Sequence, residues 1–285
     1  MKHPLELLFY IAFASQIYLL SYEIPRRISA RRWKVLENFP PEKYPKLYTQ
    51  SRDQYLISDA RYRMLNTIIL LIGIVVFLSL VFVVDHSTFA DDGYVSEAWP
   101  AGYGMLQFVP LIFLEIAQFR ELRAMREANT ATSRQAELKP RRLFDFLSPT
   151  LFLIALILFL SVLATDLVIG DGMSLSILTV AVTLILASLG WWNLRGRNLN
   201  PHQANADRST QISATLTSFA YVSIIMSIFY LFTLADQVYD IDYLDAFTLS
   251  VYFQLVAGMS TGFLLQCMRL EDMDFDVYKD NSVVS

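Results

Sequence analysis

Residues 61–84 read RYRMLNTIILLIGIVVFLSLVFVV: two arginines, then twenty-one residues without a charge. A helix rising 1.5 Å per residue needs about twenty apolar residues to cross a hydrocarbon core of ~30 Å. The stretch 65–84 therefore reads as one membrane-spanning helix, with Arg61 and Arg63 held at its near end. Working outward, six more apolar blocks of similar length fall at about 4–22, 101–119, 147–169, 173–192, 213–235 and 246–268. In lipid a backbone must satisfy its own hydrogen bonds, so each block is expected to be helical. Barrel strands would show alternation over ~10 residues, which these blocks lack.

If the seven spans alternate in direction, 22 of the 23 Lys and Arg residues share one side of the membrane, and Lys2 alone lies on the other. Basic residues stay with the cytoplasm. The expected fold is all-α: a polytopic integral membrane protein, a bundle of seven transmembrane helices in a single domain over 1–285. Its N-terminus is outside and its C-terminus inside. The setting is a plasma membrane, most simply a bacterial inner membrane. The first block has a run that resembles a signal peptide, with Ala12-Phe13-Ala14 as a cleavage site. The apolar run continues to Leu20 and meets Arg26 and Arg27, which favours a retained span. Trp99, Trp191 and Trp192 fall where spans leave the hydrocarbon, the depth that tryptophan prefers.

The basic loop 23–64 carries ten Lys and Arg residues. Pro25 is expected to open an amphipathic cytoplasmic helix with Ile28, Trp33, Leu36 and Phe39 on one face. Arg26, Arg27, Arg31, Arg32, Trp33 and Lys34 would meet anionic lipid in the headgroup layer or a protein partner. Pro40, Pro41 and Pro45 break that helix. Ser51 with Gln54 forms a capping-box signature, so span 2 is expected to start well inside the cytoplasm. The tail 269–285 is short and acidic and is expected to be mobile.

The deepest carboxylate is Glu115, ~7 Å past the middle of span 3. A charge there must face protein, water or a cation. With Gln118 one turn below and Gln107 above, it is a candidate ion or proton site; a structural pair with Arg120 or a loop arginine is the alternative. Pro110 lies mid-span, where it removes a backbone donor. The outer face holds ten acids, among them Asp85, Asp166, Asp236, Asp240, Asp242 and Asp245. They read as a cation-attracting vestibule, or as the residue of a topology that keeps bases inside. The helices before Asp85, Asp166 and Asp236 end alike, which hints at three successive hairpins.

Gly258-Met259-Ser260-Thr261-Gly262 matches G-x-S-x-G, but it lies inside span 7 and no histidine lies in any span. Without a base the serine is a poor nucleophile, so Gly258 and Gly262 are read as a helix-packing G-x-x-x-G pair. No lysine lies in a span, which excludes a retinal Schiff base. No metal cluster, haem ligand set, cofactor motif or nucleotide fingerprint is present, and lipid is a better partner than nucleic acid for the basic loop. Two functions are expected. One is a non-catalytic scaffold, sensor or accessory subunit that binds a protein partner through its basic face, with a homo-oligomer as the other assembly to expect. The other is a small-cation or proton channel or carrier working through Glu115.

Overall fold

The computed structural model describes residues 4–82, 95–128, 142–169, 174–195, 199–239 and 244–279. All regular structure among them is helical: α1 (Pro4–Tyr18), α2 (Ile24–Asn38), α3 (Arg52–Phe82), α4 (Ala98–Ala128), α5 (Pro149–Ile169), α6 (Ser174–Leu194), α7 (Asn205–Tyr239), α8 (Asp245–Ala257) and α9 (Phe263–Cys267). Seven continuous rods are long and apolar enough to cross a membrane, because α1 runs into α2 and α8 into α9 without a break. Four of the rods exceed the expected spans, the first of them by continuing through α2. Helix α3 begins at Arg52, and the Gln54 side chain accepts the Ser51 N–H as a capping box requires. Helix α4 continues nine residues past Phe119, and α7 starts eight residues before Ser213. The turn at 170–172 lies outside the described residues.

Both joins are π turns, with one extra residue per turn. The first covers Leu19–Glu23 and closes with the Ile24 N–H on the Leu19 carbonyl. Its cause is Pro25, which has no N–H to offer the preceding turn. The second covers Gly258–Gly262 and closes with the Phe263 N–H on the Gly258 and Ser260 carbonyls. Helices α1 and α8 lie side by side, and the Ser15 hydroxyl donates to Gln254 Oε1 at 2.9 Å, a separation of 239 residues. Adding 239 to 19 and 23 gives 258 and 262. Neighbouring bonds bracket that offset, at 234 for Gln16–Ser250 and 242 for Ala12–Gln254, so the two π turns lie at about the same level.

Helices α1, α3, α4 and α8 form one group around Phe9, Phe13, Ile17, Ile69, Leu80 and Tyr103. Helices α5, α6 and α7 form a second, with Val162, Met226, Tyr230 and Leu234 between α5 and α7. Helix α7 joins the groups by packing on α8, the second π turn and α9. It is covered on several sides, which explains eleven buried residues in one helix. On α3 the buried positions are Asp59, Tyr62, Asn66, Ile69, Gly73 and Leu80. Their spacing of three and four is the seam of a helix pair.

Two glycines set close approaches. A Cβ on Gly73 would collide with the Tyr103 phenol, and one on Gly104 with the Phe253 ring. Gly258 and Gly262, read from sequence as the packing pair, sit differently. A Cβ on Gly258 meets nothing within 4 Å, and one on Gly262 meets only its own chain at the Ala257 carbonyl. Gly104→Ala is therefore expected to destabilise by about 1–3 kcal/mol through overpacking. Gly258→Ala should stay within about 0.5 kcal/mol of the parent. Thermal unfolding of both variants in one detergent checks the contrast.

Candidate functional site

Mid-bundle, four helices share one buried polar network. Gln16 is fully buried, and its Nε2 donates to Gln107 Oε1 at 2.9 Å. The Ser250 hydroxyl donates to Gln16 Oε1 at 2.6 Å. Gln107 Nε2 donates to the Gln16 carbonyl at 3.2 Å and to Ser21 Oγ at 2.8 Å. Ser21 is placed inward by the first π turn and lies 3.0 Å from the Tyr103 hydroxyl, which reaches the Ile69 carbonyl. Gln107 thus belongs to this closed network. It is not a partner of Glu115.

At the basic end, α2 does not lie apart from the bundle. It extends α1 and packs on the projecting part of α3. Ile28 and Leu36, expected on a lipid-facing side, are buried in protein. The reason is Asp59, 3% exposed, on the seam of α3. Its carboxylate accepts from Ser29 Oγ at 2.7 and 2.9 Å and from Trp33 Nε1 at 3.0 Å. Arg63 Nε stands 3.1 Å away and Arg32 Nη1 3.6 Å away. A buried carboxylate needs such partners. In the sequence Asp59 is one acid among many in a basic loop, and only its place in the 59–62–66–69 stripe turns it inward.

The tail corrects the expectation of mobility as far as Lys279. Phe275 stacks on Phe39 with ring centres 3.7 Å apart, and Phe275 and Tyr278 are both buried. Asp274 N–H donates to Asp207 Oδ2 at 3.0 Å, and Lys279 pairs with Asp276 at 2.6 Å. Apolar rings buried against α2 outweigh the acidic composition here.

Between these layers lies a cavity of about 930 Å³. Its wall includes Arg31, Arg32, Asp59, Glu115, Gln118 and Asn193. Ser260 and Thr261 of the second π turn also line it, and the Ser260 hydroxyl is held by the Val256 carbonyl at 2.7 Å. The structure thus brings Glu115 and Gln118 together on one wall, and both side chains are exposed there. Glu115 makes no hydrogen bond or ion pair with any described residue, so the alternative pairing with Arg120 does not occur. Of the basic loop residues, Arg31, Arg32 and Trp33 line the cavity, whereas Lys34 is exposed. Arg26 and Arg27 point outward and pair with Glu23.

The expected outer cluster is not gathered among the described residues. Asp85, Asp240 and Asp242 lie outside them. Asp166 is buried and accepts the Ser176 N–H at 3.0 Å, which ties the start of α6 to α5. Asp236 is buried near the end of α7, and Asp245 opens α8. No three His, Cys, Asp or Glu among the described residues meet in a way that could hold a metal ion.

Removing Asp59 strands two arginines and two neutral donors. Asp59→Ala is expected to cost about 3 kcal/mol, the low end for a broken buried pair because Arg63 is half exposed. Limited proteolysis across 39–51, alongside thermal unfolding, reads the loss. Two phenols at this end add a pH dependence. Burial, with Glu121 and Glu42 nearby, pushes Tyr48 up to about 12. Burial, then Asp207, pushes Tyr278 up to about 12. The fold holds both phenols neutral, so their contribution is intact below pH ~10 and is lost as pH rises toward 12. A tyrosinate absorbance titration of the Tyr48→Phe, Tyr278→Phe double variant should lack only late-ionising signal. No family model, no curated protein and no solved structure matches this chain.

Proposed function

We propose that the protein is a non-catalytic module of a plasma membrane, most simply a bacterial inner membrane. It acts as a scaffold, sensor or accessory subunit that docks a protein partner, or a second copy of itself, on its basic end. The positive-inside pattern puts that end in the cytoplasm, the N-terminus outside and the C-terminus inside. The observation that carries the reading is that this end is built rather than loose. Asp59 clamps α2 to α3, the tail is stacked on Phe39, and Arg26, Arg27 and Lys34 stay outward. Such a basic, preformed surface suits an acidic partner. The filled midplane also supports it: Phe13, Gln16 and Ser250 are fully buried in protein there.

Purification in mild detergent should recover a stoichiometric partner or a homo-oligomer. Reversing Arg26, Arg27 and Lys34 to glutamate should weaken that association at least tenfold while leaving the melting temperature unchanged. Recovery of a bare monomer, or an association indifferent to the reversal, rejects the reading. A protease added to sealed inside-out vesicles should cut within 40–51, and protection there would invert the orientation.

One observation favours a second reading, a small-cation or proton carrier. Glu115 is a carboxylate without a partner on the wall of a large cavity, as a carrier's loading site would need. Glu115→Gln should then abolish cation or proton flux in proteoliposomes. Wild-type vesicles silent at every pH would dispose of it.

A further inference from the structure

Helix α4 packs on α3 and α8 but makes no extended contact with α6 or α7 among the described residues. The resulting gap is the cavity. Ile112, Ile116 and Phe119 of α4 and Leu189 of α6 line it, yet stay exposed on the flank of the bundle. All four lie within the apolar spans. The mouth therefore opens sideways, where acyl chains would lie, and not only at the end of the bundle.

Inside, the charges are unevenly spent. Asp59 is satisfied by Ser29, Trp33, Arg32 and Arg63. Arg31 donates only to the Met273 sulfur at 3.6 Å and meets no carboxylate. Glu115 meets no cation. Asn193 is 6% exposed, and its buried Oδ1 has no hydrogen-bond partner. The wall thus offers Arg31 and Glu115 as unpaired charges, with Asn193 Oδ1 and Arg32 Nη1 as atoms without a hydrogen bond, set among apolar side chains. A buried acceptor without a donor is costly, and a ligand N–H would relieve it.

We propose that this cavity binds one membrane phospholipid with a primary-amine headgroup, of the phosphoethanolamine type, entering between α4 and α6. The phosphate pairs with Arg31, and the ammonium donates to Glu115 and Asn193. The chains leave through the apolar mouth. An anionic headgroup without an amine would leave Glu115 facing like charge. A choline headgroup carries charge but no N–H for Glu115 or Asn193. At about 930 Å³ the space lies within the ~300–1,000 Å³ range of small-molecule sites, enough for a headgroup and the first part of its chains. This site does not depend on whether the basic surface docks a partner.

Native mass spectrometry of the detergent-purified protein tests it, with phosphatidylethanolamine, phosphatidylcholine and phosphatidylglycerol of matched chains in equal amounts. One phosphatidylethanolamine should be retained about tenfold over either competitor, the value of one charge-assisted donor. Glu115→Gln should bring the ratio over phosphatidylcholine close to one. Arg31→Gln should weaken both of those lipids. Gln118→Trp, placed on the wall at a residue without a partner, should remove the bound lipid altogether. Water-soluble phosphoethanolamine at the same concentration should displace little, because it lacks the chains. Equal retention of the three lipids, a preference that survives Glu115→Gln in a protein of unchanged melting temperature, or full displacement by the soluble headgroup each overturns the proposal.

Discussion

A side-chain amide in hydrocarbon has no water to turn to, and Gln16 is wholly buried in this bundle. Its carbonyl oxygen, its amide nitrogen and its backbone carbonyl each find a partner, in Ser250 and Gln107. Interhelical hydrogen bonds in membranes contribute only about 0.6 kcal/mol each. Their weight here is geometric. A rotation of α1, α4 or α8 by one residue would leave several of these groups bare at once. The arrangement of the other helices follows from that restriction, since α3 is held through Tyr103 and α7 is seated on α8.

The two ends of the bundle solve opposite problems. Toward the acidic end the interior closes with aromatic rings, Phe9 stacked near Phe13 and Phe13 edge-on to Tyr103. Toward the basic end the helices continue past their apolar stretches, and apolar contact alone cannot order them. There a buried carboxylate replaces the greasy seam, and arginines gather on it rather than on lipid. Helix α4 takes no part in that clamp. Its separation from α6 and α7 leaves a large space with both polar and apolar walls.

Much of the architecture was legible in the residues. Span number and helical class follow from the lengths of uncharged runs, and the breaks at Pro40, Pro41 and Pro45 fall where proline chemistry demands. The reach of Gln54 back to the Ser51 N–H also holds. What stayed hidden depends on who sits opposite. Composition made α2 look like a headgroup helix, because Ile28 and Leu36 can face lipid or protein equally well. Only the position of Asp59 on the α3 seam decides between them. The glycines misled for the same reason: Gly258 and Gly262 have the spacing of a contact, but Gly73 and Gly104 have the large rings across from them. Of the candidate site, Glu115 and Gln118 were found by depth and spacing. Asn193 was not, since nothing in Trp-Trp-Asn-Leu reveals an unanswered carbonyl.

The matched π turns carry a consequence for the way such a chain can change. Each inserts one residue, and one residue is about 100° of helix. Losing that residue from Leu19–Glu23 would leave α1 in phase with α8 but swing everything after it through more than a quarter of a circle. Ser29 and Trp33 would then turn from Asp59, and Arg31 would leave the cavity wall. The same loss in Gly258–Gly262 would misalign α9 and the docked tail. Away from the Gln16–Ser250 network and the Asp59 clamp, point substitutions along these two rods disturb less than single-residue deletions above the basic end would. The phase of the helix, more than the identity of its side chains, is what a lineage of this protein would have to preserve.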